Sequence, residues 1–164
     1  MQVRGRCWKF GDNIPTDQIV RSDLVFKPIA EMAKHVLQTC NPDFPRKVQP
    51  GDIIVAGKHF GQSSGRAVAA KAIKATGVGC VIAETFARTF YRNGFEIGLP
   101  ILECTEIGTH VQDGDVVAVD VAQGVIVNET TGQRLEAKPT PPFLLEMLQA
   151  GGIIPMAEKL AAMG

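Results

Sequence analysis

Between Gly57 and Arg66 the chain reads GKHFGQSSGR, and this stretch holds the groups best suited to chemistry. Its small residues leave several backbone N–H groups free to face one point. A helix expected from about Arg66 to Thr76 adds unpaired donors and the positive end of its dipole. Such a junction binds an anion, either a carboxylate or a phosphate. Arg66 offers a planar fork that pairs a carboxylate through two hydrogen bonds. A cation in the first turn of a helix opposes the dipole, so its presence there calls for an anionic ligand. Ser63 and Ser64 stand beside it. They either cap the helix, as serines at this place often do, or take part in the chemistry. On the turn alone the two readings weigh equally.

Taken literally, Gly61-Gln-Ser63-Ser-Gly65 also fits GxSxG, the nucleophile elbow of α/β-hydrolases, in the strand–turn–helix setting that motif needs. The rest of the chain speaks against a free-standing serine hydrolase. Too few strands precede the turn to build the hydrolase sheet. The histidine downstream, His110, comes before Asp113 and Asp115, whereas the elbow families place the acid first.

The elements that must hold the turn are readable on either side of it. Asp52 to Gly57 (DIIVAG) predicts a buried strand, Gly77 a helix C-cap, and Gly79 to Glu84 (GCVIAE) the next strand. Strand, helix and strand make one βαβ crossover and a parallel pair. Upstream, residues 2–8 read as a short strand, 10–17 as a polar loop and 18–27 as an apolar-leaning connection. Ile29 to Leu37 resembles a short amphipathic helix, and the proline-rich 39–52 a loop. Downstream come a helix over Phe86 to Phe95 and a strand over Leu99 to Glu103. Residues 115–137 alternate apolar and polar around Gln123-Gly124 and Thr131-Gly132, which predicts antiparallel strands joined by hairpins. Pro139 to Pro142 breaks the chain before two short helices parted by Gly151-Gly152. The expected class is mixed α/β, with a central parallel crossover and a flanking antiparallel region.

Composition narrows the function. A chain of 164 residues suits one domain, spanning 1–164. Seventeen basic residues offset seventeen acidic ones, which argues against nucleic acid as a partner. No apolar run is long enough to span a bilayer, and the N-terminus lacks a signal peptide's apolar stretch. Cys7, Cys40, Cys80 and Cys104 are far apart, and no CxxC occurs. These features predict a cytoplasmic protein without a disulfide framework or a complete metal site of its own.

Taken together, ordered motifs over nearly the whole chain resemble one family. They are Lys9-Phe-Gly-Asp12 with Thr16-Asp17, Phe44-Pro-x-Lys-Val48, Gly51 to Gly57, Phe60-Gly61 with Ser64 and Arg66, Ala83 to Glu103, and Ala150-Gly-Gly152. The family is that of 3-isopropylmalate dehydratase and homoaconitase small subunits, which correspond to the swivelling domain of aconitase. The resemblance implies that domain's β/β/α architecture. It also implies a hydro-lyase subunit inactive without a large subunit, which would carry the [4Fe–4S] cluster; this chain would bind none. Self-association is open to the chain in isolation.

The family's turn reads GxxFGxGSSREHA. Aligned without gaps, Ser64 falls on the first family serine, Gly65 on the second and Arg66 on the arginine. Ser63 replaces a glycine, and Ala67 and Val68 replace Glu-His. The resemblance makes Ser64 the base that removes the substrate's C–H proton and Arg66 the carboxylate clamp, with Ser63 and Gly65 beside the substrate. A serine alkoxide needs stabilising dipoles and cations, which this junction offers. Asp17 matches an aspartate that orients a histidine of the partner. The loop Ile19 to Lys27 would read the substrate's variable arm, and Phe26 stands where homoaconitase-type sequences carry an arginine. An apolar Phe26 favours an alkyl malate over a tricarboxylate, whose third carboxylate would be desolvated. Alternatively, Leu24, Val25 and Phe26 pack in the core and Lys27 accepts a carboxylate. The expected substrate is a hydroxy dicarboxylate, 3-isopropylmalate or a related alkyl malate. The alternatives are a homoaconitase-type or dimethylmalate/methylmalate dehydratase small subunit, or a non-catalytic paralogue that lacks the serine pair.

Overall fold

A computed structural model of the chain describes residues 1–63 and 67–164; Ser64, Gly65 and Arg66 lie outside the described residues. The chain begins β1 (Gln2–Lys9), α1 (Thr16–Ile19), a 3₁₀ turn (Ser22–Leu24), α2 (Ile29–Ala33), α3 (Asp43–Lys47) and β2 (Ile53–Ala56). It continues α4 (Val68–Ala75), β3 (Cys80–Ala83), α5 (Arg88–Glu96), β4 (Ile101–Glu103) and α6 (Ile107–His110). Then come β5 (Val116–Asp120), β6 (Val125–Asn128), β7 (Gln133–Glu136), α7 (Pro142–Ala150) and α8 (Ile153–Met163).

The strands form a seven-stranded mixed sheet of order β4-β3-β2-β1-β5-β6-β7. From β1 to β4 the pairing is parallel, and from β1 through β5 and β6 to β7 it is antiparallel. The expected crossover is therefore β2-α4-β3, and the expected antiparallel flank is β5 to β7. β2 (IIVA) and β3 (CVIA) are buried at every position, as parallel strands covered on both faces must be. β5 and β6 bury alternate residues, the pattern of a sheet covered on one face. The parallel connections all step in one direction along the sheet. The right-handed rule then puts the segments that make them on one face, where α2 and α1 pack on α4, and α4 on α5. The C-terminal α7 closes against α5.

Two aromatic clusters fix the loops that leave the strands. Phe44 sits edge-on to Trp8 and Phe10, with ring centroids 5.4 and 5.6 Å away. Phe60 sits edge-on to Phe86 and Phe90 at 5.9 and 5.3 Å. Both Phe44 and Phe60 are wholly buried, and truncating either to alanine would cost about 3–5 kcal/mol.

Local expectations need correction at three places. Residues 43–47 form a helix within the expected loop, because Asn41 Oδ1 accepts the Asp43 N–H at 3.0 Å and Phe44 anchors the turn in the core. The helix from Ile29 ends at Ala33, and tighter turns follow to Leu37, whose positive φ of 55° no α-helix accommodates. The segment from Thr16 begins as a helical turn rather than continuing the loop. Beyond these, α6 was not anticipated at all.

Candidate functional site

The loops that leave the carboxyl ends of β1, β2 and β3 meet at one place, where open parallel sheets bind their ligands. The turn after β2 runs beside the loop after β1: Asn13 N–H donates to the Lys58 carbonyl (2.7 Å) and Gly61 N–H to the Ile14 carbonyl (2.8 Å). Farther along, Thr16 N–H donates to the Gln62 carbonyl at 2.9 Å. On its other side the turn meets the loop after β3, with Phe60 N–H on the Thr85 carbonyl (3.1 Å) and Ala87 N–H on the Phe60 carbonyl (3.0 Å). Gly61 has a φ of 83°, and a Cβ there would strike the Phe90 ring. His59 and Ser63 adopt positive φ without being glycine, at 59° and 93°. Backbone held in that region tends to gather at ligand sites.

Beside the turn opens a cavity of about 220 Å³. Thr16, Asp17, Val20, Ser22 and Val25 line one side, and Val68 and Ala69, at the start of α4, the other. The lining pairs an aliphatic patch with a polar strip made by Thr16, Asp17 and Ser22. Between Val20 and Ser22, Arg21 is already occupied: its Nη2 lies 2.7 Å from Asp23 Oδ2 and its Nε 3.1 Å from Oδ1. That pairing holds Asp23 below the usual carboxylate range and raises Arg21 further.

Of the residues singled out from sequence, Asp17 is exposed in the first turn of α1 and lines the cavity. Ser63 is exposed at the end of the described part of the turn. The roles given to Ser64, Gly65 and Arg66 fall on residues outside the described ones. Val68 and Ala69, two and three residues after Arg66 in sequence, line the cavity. Phe26 is 93% exposed, and neither it nor Lys27 is among the lining residues. Leu24 is buried and Val25 half-buried, so the core takes these two but not Phe26. Val20 and Ser22 lie in the loop expected to read the variable arm but are not singled out by sequence, and Val68 and Ala69 carry no signal of their own, since single aliphatic and hydroxyl side chains make no motif.

Residues 22–106 match the aconitase C-terminal domain. The isopropylmalate/citramalate isomerase small subunit of Methanocaldococcus jannaschii is 47% identical, over 98% of this chain and 96% of that protein. A 3-isopropylmalate dehydratase small subunit of Thermotoga maritima is 48% identical, over 96% and 95%. The crystal structure of 3-isopropylmalate dehydratase from Methanocaldococcus jannaschii superposes with a TM-score of 0.94 at 35% identity, covering 99% of this chain and 97% of that one.

The chain belongs to the aconitase C-terminal domain family. Within it, the chain stands among the 3-isopropylmalate dehydratase small subunits. Aconitase-type enzymes use an iron–sulfur cluster, and the cysteines of this aconitase-type domain do not suit one. Cys7 and Cys80 are buried; desolvation, with Asp115 next in weight, pushes Cys7 up to about 12, and burial raises Cys80 as well. Cys104 is raised by burial and bonds the Glu136 carbonyl, while Cys40 bonds Gln18 at the surface. Ligation needs thiolates, and burial disfavours the thiolate at Cys7, Cys80 and Cys104. Among the described residues no group of three or more His, Cys, Asp or Glu could hold a metal ion. No helix among the described residues is long and apolar enough to cross a membrane.

Proposed function

We propose that this chain is the small subunit of a hydro-lyase that removes and restores water on a hydroxy dicarboxylate, 3-isopropylmalate or a related alkyl malate. The observation that carries the reading is the two-sided cavity beside the strand–turn–helix junction. Its aliphatic wall of Val20, Val25 and Val68 fits an alkyl arm, and the polar strip with the helix start fits the carboxylates. The names of the relatives, 3-isopropylmalate dehydratase and isopropylmalate/citramalate isomerase small subunits, agree with it. The whole chain acts as one swivelling domain in the cytoplasm, docked to a large subunit that carries the [4Fe–4S] cluster.

In this reading Arg66 clamps a substrate carboxylate with its fork while the start of α4 adds backbone donors. Ser64, as alkoxide, takes the C–H proton next to that carboxylate. A serine is a poor base at neutral pH, so the charge on its oxygen must be met by the helix dipole and Arg66. Gly65 and Ser63 border the substrate, and Asp17, at the cavity rim, orients a histidine of the large subunit. Phe26 and Lys27 stand exposed on the loop that reads the variable arm, next to the lining Val25. Covered by the large subunit, Phe26 would favour an alkyl group there.

A second reading, a non-catalytic paralogue, is favoured by Gly65 where the family has its second serine and by Ala67-Val68 in place of Glu-His. Co-expression with the large subunit and anaerobic assay against 3-isopropylmalate, citramalate and homoaconitate separates the two. Turnover of alkyl malates that requires both subunits is expected, with Phe26→Arg shifting kcat/KM toward homoaconitate. A stable complex that turns over no hydroxy acid would leave the paralogue standing.

A further inference from the structure

The turn that leads to Ser64 is held by two side chains to which nothing so far assigns a role. Asp12 Oδ1 accepts the Lys58 N–H at 2.8 Å. Thr85 Oγ1 accepts the next donor along, the His59 N–H, also at 2.8 Å. These are consecutive backbone donors of one turn, fixed from the loop after β1 on one side and the loop after β3 on the other. Gly57 makes room for the first contact, because a Cβ there would collide with the Asp12 carboxylate oxygen. From the second anchored residue onward the backbone passes through three positive φ angles, at His59 (59°), Gly61 (83°) and Ser63 (93°). His59 and Ser63 resist that region, so the turn relaxes unless its surroundings over-determine it.

Resting on the proposed role of Ser64, we infer that Asp12 and Thr85 are positioning residues. They hold the turn from both flanks, so that residues 57–63, the stretch ahead of the serine, keep one geometry. Asp12, Lys58 and His59 are exposed and Thr85 is half-buried, so water would replace either hydrogen bond at little cost to the fold. Catalysis is less forgiving, because a displacement of about 1 Å at a reacting group costs about a hundredfold in rate. Loss of either anchor should therefore appear in turnover and not in stability. The carboxylate acts here through an oxygen that accepts a hydrogen bond, and the amide oxygen of asparagine can accept it too.

The test uses the assembled two-subunit enzyme. Asp12→Ala and Thr85→Val should each lower kcat by about tenfold to a hundredfold, with KM, melting temperature and subunit association near the parent values. Asp12→Asn and Thr85→Ser should recover most of the loss, with the pH profile of kcat unchanged. Amide exchange over residues 57–63 should quicken in the first pair of variants and return in the second, a readout that does not depend on turnover. Parental kcat and exchange in both Asp12→Ala and Thr85→Val would overturn the inference. So would Asp12→Asn as impaired as Asp12→Ala, which would mean that the charge matters and not the acceptor. Should Asp12→Ala fail to fold, the Thr85 pair decides alone. Ser64→Ala, run alongside, keeps the two claims apart. If it retains activity, the reading of the site is wrong. If it abolishes activity while the anchor variants match the parent, only the inference falls.

Discussion

The two halves of the sheet share β1 and are otherwise built in opposite ways. From β1 to β4 the strands are parallel, β2 and β3 are buried at every position, and the loops that leave β1, β2 and β3 touch one another. From β5 to β7 the strands are antiparallel, β5 and β6 bury every second residue and β7 buries Leu135, and hairpins that turn at Gly124 and Gly132 join them. In the parallel half the chain must leave the sheet and return through a helix, so the carboxyl ends of β1, β2 and β3 gather their loops together. In the antiparallel half the chain turns back at once, and no loops accumulate. The cavity and the strained backbone at residues 59–63 lie in the first half. The second half supplies stability and an edge.

The sharpest way to break this contrast is to compare one serine with one core isoleucine. Ser64→Ala in the assembled complex should lower kcat by about 10²- to 10⁴-fold without moving the melting temperature. Ser63→Ala should cost far less. The reverse ranking would mean that the turn is displaced by one residue relative to the family. In the other half, Ile126→Ala removes a wholly buried side chain from β6. It should cost about 2–5 kcal/mol of stability by denaturant titration and leave kcat unchanged. A fall in kcat below the unfolding range would deny that the halves are functionally separate.

A smaller effect concerns pH. Asp115 is held below the usual carboxylate range, first by the Gln112 N–H at 2.9 Å and then by the Asn128 amide at 2.9 Å. Its contribution to stability is complete above a pH of about 4 and is lost as pH falls through the lowered value. Asn128→Ala removes one of these bonds, so the carboxyl titrates nearer its ordinary value. Acid unfolding followed by circular dichroism should then begin at higher pH than in the parent. An unchanged acid midpoint would show that Asn128 does not tune this group.

The smallest effect is local to the turn. Ser63→Gly replaces a residue at a φ of 93° with the one that adopts it without strain, and should stabilise by up to about 1 kcal/mol. The mirror test is Gly132→Ala in the β6–β7 hairpin, at a φ of 80° with open space around it. It should destabilise by about 1–2 kcal/mol through backbone strain alone.

Legibility in the sequence followed the same division. The alternation in residues 115–137 and its glycine turns gave β5, β6 and β7 directly, because one-sided burial leaves a period of two. DIIVAG and GCVIAE gave β2 and β3 with the helix between, because fully buried strands are unbroken apolar runs bounded by glycine. What sequence reasoning missed depends on contacts between segments far apart in the chain. The helix at Asp43–Lys47 exists because Phe44 finds Trp8 and Phe10, about 35 residues away, and prolines masked it. Asp17 could be marked by its place in a motif, and Val20 only as one of a loop, while nothing gave Val20 or Val68 a wall of the cavity, since an aliphatic residue there looks like one in the core. The exposure of Phe26 was equally hidden, because its neighbours Leu24 and Val25 do turn inward.

β1 divides its length between the halves: residues 2–6 pair with β5, and residues 7–9 pair with β2. One continuous stretch of eight residues is thus the seam of the whole sheet. During synthesis its carboxyl end finds a partner once β2 has emerged, and the parallel layer can assemble from there. Its amino end has to wait for residues beyond 115, with both edges of the ribbon open in the meantime. Long-range closure of this kind slows folding and leaves an unpaired strand available to other chains. Arg4 and Arg6 stand on that waiting segment, where their charges discourage pairing with a neighbouring molecule until β5 arrives.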